Sequence, residues 1–529
     1  MHGKNKLVKL LSVVIVFGVL VTACGAPATQ PPATEAPAAT EAQATEAPAA
    51  TEAPAATEAP ATEAGLMFEG VTVNLLTFVG PQVAEPLQRR GPDFTALTGA
   101  TINVITVPNS ELYQKALTDL ATGTNAYDAF LFAPSWIVDF APAGYIEDLT
   151  PRIEADPALE WDDVAPFFRD FNSYDGKVYS IPLDGDMHMV YYRIDSLADA
   201  GLEPPKTWDD YLNVAKTLNG TDLNGDGEAD YGSCISKAPA QQSYWWIWSI
   251  AAPYIQSQGN TQGTFFNTTD MTPLVNNDAF KRALEVYKET GLYGPPDETN
   301  QGVGDSRGLF ISGRCALTMD WGDIGTLAIA PDSKVIDKVG ALVTPGSTEV
   351  LDWDTGKLVP CDATTCPYAV DGVNHAPFAS FGGWAGAVNA AADPKVKDAA
   401  YAFLSYMAQP AQSNADVTVG STGYNPFRIS QFTDKQAWLD AGFSQAAADS
   451  YLGGIEASLN SPNMVADLRI PSNQKYIQVE LDRILAEYIA GDLTTDEAAQ
   501  QLYDSWEAIT EEVGRDAQLE SYKATIGAK

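Results

Sequence analysis

From Glu69 onward the apolar residues change period again and again. Val71 to Phe78 is a run of apolar and β-branched residues, which predicts a strand. Glu85 to Leu97 is expected to be a helix. Thr101 to Val107 alternates apolar and polar and predicts a second strand. Ser110 is placed to cap a helix whose Leu112, Ala116, Leu117 and Leu120 share one face, and Gly123 stops it. Tyr127 to Phe132 predicts a third strand. Strand, helix, strand, helix, strand argues for an open α/β sheet. Ligands in such sheets sit beyond the carboxyl ends of the strands. The loops Val79 to Gln82 and Pro134 to Trp136 fall there, so Gln82, Ser135 and Trp136 are candidate cleft residues.

The chain before Glu69 follows other rules. Lys4, Lys6 and Lys9 precede the apolar run Leu10–Val21, which is shorter than the ~20 residues of a comfortable bilayer span. Residues 1–23 read as a secretion signal. Val21-Thr22-Ala23-Cys24 resembles the bacterial lipobox, in which the Cys after the cut carries diacylglycerol. The resemblance implies a lipid anchor on Cys24 and a body held outside the membrane. Residues 24–65 are almost only Ala, Pro, Thr and Glu. They have too little apolar surface to fold and are expected to form a disordered, extended tether.

Composition narrows the classes. The 529 residues exceed one ordinary core, so two packed halves are expected. Apolar residues make up 45%, enough for a large core. The net charge of −38 repels phosphate backbones, which makes nucleic acid a poor partner. Of three histidines, only His188 and His375 lie beyond the signal, so a His-rich metal site is excluded. Four cysteines remain after Cys24. Cys361 and Cys366 are neighbours in sequence and are paired on that ground, which leaves Cys234 with Cys315; three pairings are open to sequence alone.

Several segments, in order from about 69 to 512, resemble family 1 of the extracellular solute-binding proteins, the group that includes maltodextrin-binding proteins. They are Tyr127–Phe130 through Ala143–Thr150, Asp175–Pro182 through Tyr191–Arg193, and Ala200–Leu202 through Pro205–Asp210. Phe310–Leu317, Phe381–Ala392 with Val396–Met407, and Thr494–Ala498 continue the series. The resemblance implies a two-lobed periplasmic-binding-protein-like α/β fold of type II, with open sheets flanked by helices and a hinge between the lobes. Lobe one would be 66–183 plus 343–400, and lobe two 186–340 plus 410–529. The implied function is capture of a sugar or oligosaccharide for an ABC importer and delivery to its permease subunits. A monomer without enzymatic activity is expected. A polyol, glycerol phosphate or peptide receptor of the same fold is the alternative, and a secreted glycosidase a remote one.

The same resemblance nominates site residues. Asp184 and Asp186 lie at the first crossing between lobes, where the family often has a carboxylate that accepts sugar hydroxyls. Tyr244, Trp245 and Trp248 fall in an indole-rich stretch; flat rings bury the apolar faces of sugars. On a helix Tyr244 and Trp248 share a face and Trp245 does not, so one or two would reach the cleft. Asp320 and Trp321 follow a strand at the family's cleft floor. Gly383 allows close backbone approach, with Trp384 closing over the ligand. Tyr424 would stack, and Arg428 would bind a ligand oxygen or carboxylate. Asp222, Asn224, Asp226, Glu228 and Asp230 have calcium-loop spacing with Gly227 at the sixth position, although position 12 is Ser233 rather than Glu. A structural calcium is expected there, and no other cofactor.

Overall fold

β1 (Thr72–Phe78) runs parallel to β2 (Thr101–Val107) along its whole length, from Thr72 opposite Thr101 to Phe78 opposite Val107. β3 (Ala129–Phe132) lies parallel on the other side of β1. The structure, a computed structural model, describes residues 66–529, apart from 81, 240 and 421. The expected signal peptide, Cys24 and the tether lie outside the described residues. Helices α1 (Ala84–Thr98) and α2 (Asn109–Thr122) connect the three strands. Val73, Leu75 and Leu76 of β1 are fully buried, as expected of a central strand covered on both faces. β2 is an edge strand and stays half-exposed. Gly123 ends α2 in the left-handed region (φ 64°), where its N–H reaches back to the last turn. Ser110 does not cap α2. The cap position is Pro108, one residue before Asn109, and no side chain bonds there.

Two later pieces complete this sheet. Ala385–Val388 pairs antiparallel with β3, and Ile181–Pro182 pairs antiparallel with Ala385–Val388. The second sheet has the order Val339–Val343, Met189–Arg193, Cys315–Asp320, Tyr231–Cys234. Its last two strands are parallel and carry the disulfide Cys234–Cys315. A second disulfide joins Cys361 to Cys366.

The helix Ser243–Ile255 explains much of the second half. Every one of its residues is buried. A helix that is apolar all round must lie inside the molecule rather than along a groove. Helices Asp278–Thr290 and Lys475–Ala490 pack around it. Thr207 with Asp210 and Thr494 with Glu497 form capping boxes on the helices Trp208–Leu218 and Thr495–Val513.

The chain leaves the first sheet through residues 183–188, next to its return through 380–384. There Leu183 N–H donates to the carbonyl of Trp384 (2.9 Å). The return is later than the expected boundary at 343. The hairpin Glu349–Pro360 packs on Ser243–Ile255 and Asp278–Thr290, and Phe378–Ala379 pairs with Val465–Ala466. The stretch expected to open the last part of lobe two also starts with the first sheet. Asp416 accepts from Arg89 and Arg90 of α1, and Phe427 carbonyl accepts from Ala165 N–H. Farther along, helix Gln445–Leu459 packs on the second sheet, against Val339–Val343.

Candidate functional site

The carboxyl ends of β1 and β2 face the second sheet across a cavity of about 340 Å³. That volume lies within the usual range for small-molecule sites. On the first-sheet side Phe78, Gln82 and Val83 come from the end of β1 and the start of α1, and Asn109 and Ser110 from the start of α2. On the other side stand Gln241 and Gln242, ahead of the buried helix, and Arg307 from helix Val303–Ile311. Trp321 and Asp323 follow the strand Cys315–Asp320. The crossing segments supply Asp186, Phe381 and Trp384, and Gly423 comes from the later stretch, where its N–H donates to the Gln82 carbonyl.

The aromatic wall is continuous. Trp384 lies 4.8 Å from Phe78 and 5.1 Å from Phe381, centroid to centroid, and Phe381 lies 5.6 Å from Trp321. Trp245 stacks on Phe381 at 3.9 Å from behind and donates its indole N–H to Asp467. His188 lies beneath Trp321, stacked on Trp246 at 4.5 Å and 2.6 Å from the Ser249 hydroxyl. Burial and the nearby Arg307 hold this imidazole well below its ordinary pKa, so it is neutral. The indole N–H of Trp321 has no hydrogen-bond partner among the described residues.

The polar groups are few and fixed. Asn425 donates its backbone N–H to Asp184 (2.6 Å) and its side-chain amide to Asp186 (2.9 Å). Burial pushes Asp184 up to about 7, against the N–H from Asn425. Burial, with the charges of Asp184 and Asp323, raises Asp186 well above the usual carboxylate range. Arg307 donates to Asp320 (2.6 Å) and Asp323 (2.6 Å), so both arms of its fork are engaged. Burial raises Asp320 to about 6, opposed by that arginine.

Of the residues expected from sequence, Gln82, Asp186, Trp321 and Trp384 line the cavity. Asp184 and Gly383 stand directly behind it: a Cβ on Gly383 would meet the Asp184 carbonyl. Asp320 stands behind the cavity and acts on it through Arg307 and through Trp321, from whose backbone N–H it accepts (2.7 Å). Tyr424 is buried beside the lining residue Gly423, and its hydroxyl has no partner among the described residues. The other expected residues lie elsewhere. Trp136 stacks on Phe132 in the core of the first sheet, and Ser135 is buried next to it. Tyr244 donates to Asp467, and Trp248 packs on Phe265, Phe280 and Trp506. Neither touches the cavity, because their helix is buried on every side. Arg428 is a structural cation. It donates to the carbonyls of Ala408, Leu159 and Glu160 and to Asp163, well inside the first half.

The 222–230 loop folds on itself. Asp222 accepts from the N–H groups of Gly225, Asp226 and Gly227, and Asp226 accepts from Glu228 N–H. Asp230 is buried and accepts from Arg314 and Leu223 N–H. Among the described residues no group of three or more His, Cys, Asp or Glu is arranged to hold a metal ion. Calcium at this loop rests on its spacing alone.

The family model for bacterial extracellular solute-binding protein matches residues 80–414. The chain belongs to this family. Among its relatives, the mannitol-binding protein of Pseudomonas aeruginosa is 28% identical over 46% of this chain and 53% of its own length. The erythritol/L-threitol-binding protein of Mycolicibacterium smegmatis is 28% identical over 42% of this chain and 46% of its own. The chain thus spans about half the length of these relatives. A solute-binding protein of Agrobacterium radiobacter, solved with ribitol, superposes with a TM-score of 0.67 at 22% identity, covering 84% of this chain and 99% of that one. A maltose-bound protein of T. maritima superposes with a TM-score of 0.64 at 18% identity, covering 83% and 100%. The fold of this solute-binding protein is that of the periplasmic-binding-protein-like group.

Proposed function

We propose that this chain is the extracytoplasmic receptor of an ABC importer and that it holds a neutral sugar or short polyol in the cavity between the two sheets. The observation that carries the reading is the meeting of Trp321, Trp384 and Phe78 with Asp186 and Gln82, contributed from both sheets and their crossings. Indole and phenyl faces suit the C–H faces of a polyhydroxyl chain, and carboxylate and amide oxygens accept its hydroxyls. Charge argues for a neutral ligand. The one arginine among the described lining residues is occupied by Asp320 and Asp323, and Arg428 is elsewhere, so no lining cation is left free to pair with an anion. Relatives named for mannitol and for erythritol and threitol fit this chemistry.

Binding would favour a closed arrangement about the crossings at 183–188 and 380–384, a population shift between open and closed lobes. The closed form would then be handed to the permease. A lipid on Cys24 and the tether would keep a monomeric body near the membrane. We read the site as binding rather than hydrolytic. A glycosidase sets its two carboxyls on either side of the scissile bond, whereas Asp184 and Asp186 are both held by the same Asn425.

A thermal-shift screen tests this with mannitol, ribitol, maltose, maltotriose and glycerol phosphate. Ligand at 100 times its dissociation constant stabilises by about 2.7 kcal/mol. A neutral polyol or sugar is expected to give that response. A response to glycerol phosphate alone would sink the neutral-ligand reading.

A further inference from the structure

Buried arginines elsewhere in the described residues have carboxylate partners. Arg193 pairs with Asp195, Arg307 with Asp320 and Asp323, and Arg428 with Asp163. Arg469 differs. It is 6% exposed, yet no carboxylate of the described residues forms an ion pair with it. One arm donates to the Ser173 carbonyl, and the guanidinium lies 5.3 Å over the Phe171 ring. Its Nε–H has no partner among the described residues. Burial lowers its pKa to about 10, so it is still charged at neutral pH. An unpaired buried cation costs several kcal/mol, a cost that a bound anion would offset.

Arg469 lines two cavities, and both lie away from the aromatic cleft. One, of 170 Å³, is walled by Phe167, Phe171, Met464, Ala466 and Ile526. The other, of 560 Å³, is lined by Tyr174, Pro471 and Ala524 among others. Each also has carboxylates, Asp170 in the first and Asp175 and Glu520 in the second. A multiply charged anion would be repelled by them. A single carboxylate fits the planar guanidinium fork, and the apolar wall of the smaller cavity suits a hydrocarbon group. We propose that Arg469 anchors a second binding site, distinct from the cleft, for a monocarboxylate bearing an apolar group that lodges against Phe167, Phe171 and Ile526.

Benzoate and hexanoate are suitable probes, with benzyl alcohol and inorganic phosphate as controls. Calorimetry and thermal shift on the whole chain at neutral pH should give saturable binding of one or both carboxylates and none of the controls. Arg469→Gln should weaken it about tenfold or more, the loss of a charge-assisted pair, while any cleft ligand binds as before. Should Arg469→Gln fail to fold, Ile526→Trp fills the smaller cavity and leaves the arginine in place; it should abolish binding too. No saturable binding of either carboxylate, equal binding of phosphate, or carboxylate binding unchanged in the folded variants would each overturn the proposal. A positive carboxylate result with no sugar response would separate this site from the reading of the cleft.

Discussion

A Cβ placed on Gly383 would stand 1.9 Å from the carbonyl oxygen of Asp184. Gly383 also has φ 87°, which side chains rarely tolerate. The two backbones that cross between the sheets are thus in direct contact, and the contact excludes any side chain. Gly383→Ala should cost about 3 kcal/mol or more, since left-handed strain and a backbone clash add. Gly453, within helix Gln445–Leu459, has open space around its Cβ position. Gly453→Ala should raise stability by roughly 0.5–1 kcal/mol through helix propensity. Urea unfolding of both variants checks the pair; equal effects would remove the special role of the crossing.

Trp321 and Trp384 differ in what stands behind them. Trp321 rests on His188 and Trp246, whereas Trp384 rests on Phe78 and Phe381, which themselves line the cavity. Trp384→Ala should therefore lower ligand affinity by tenfold or more, about 2 kcal/mol for a buried aromatic anchor, and should also cost stability, because the indole is buried. Trp321→Ala should lose affinity and also destabilise the second half. Trp321→Phe should restore the stability better than the affinity. Calorimetry with the best ligand from the screen, together with melting curves, separates the two effects. Full affinity in both alanine variants would move the site elsewhere.

The first three strands were legible because their apolar residues fall at the period of the element. Thr101–Val107 is read to the residue, and Gly123 stops its helix as expected. Trp248 and Arg428 misled for a shared reason. An indole or a guanidinium has the same identity in a core as in a cleft, and only the neighbouring elements decide. Trp248 is surrounded because Phe265, Phe280 and Trp506 arrive from distant segments. Arg307 went unnoticed because its partners lie on a following strand and turn, and helix Val303–Ile311 has little apolar periodicity. The return crossing was misjudged for a similar reason. The hairpin Glu349–Pro360 has an ordinary strand pattern that fits either sheet.

The buried carboxylates give stability a pH dependence of definite sign. Burial raises Asp184 to about 7 and Asp467 to about 6, while an unfolded Asp titrates near ~3.9. Between about pH 4 and 7 the folded chain therefore holds protons that the unfolded chain lacks. Their contribution to stability falls as pH rises through that window. Asp184→Asn keeps the acceptor for Asn425 N–H and removes the titration. The variant should show a flatter fall of melting temperature over about pH 4.5 to 7.5 than the parent. Parallel profiles would mean that Asp184 ionises normally.

The two disulfides should contribute very unequally. Cys234–Cys315 closes a loop of sequence separation 81, and Cys361–Cys366 one of 5. Cross-linking removes more freedom from the unfolded chain as the loop lengthens, so the first should stabilise by about 4 kcal/mol and the second by less. The long loop also contains helix Ser243–Ile255 and Arg307, so it encloses elements on which Trp321 and the cavity rest. Replacing Cys234 and Cys315 with alanine should lower the urea midpoint markedly and weaken ligand binding. Replacing Cys361 and Cys366 should do little to binding, because that turn lies away from the cavity. Midpoints and affinities for the two double variants, measured under oxidising conditions, decide the matter. A larger loss from the short loop would mean that the contribution is local packing rather than restraint of the unfolded chain.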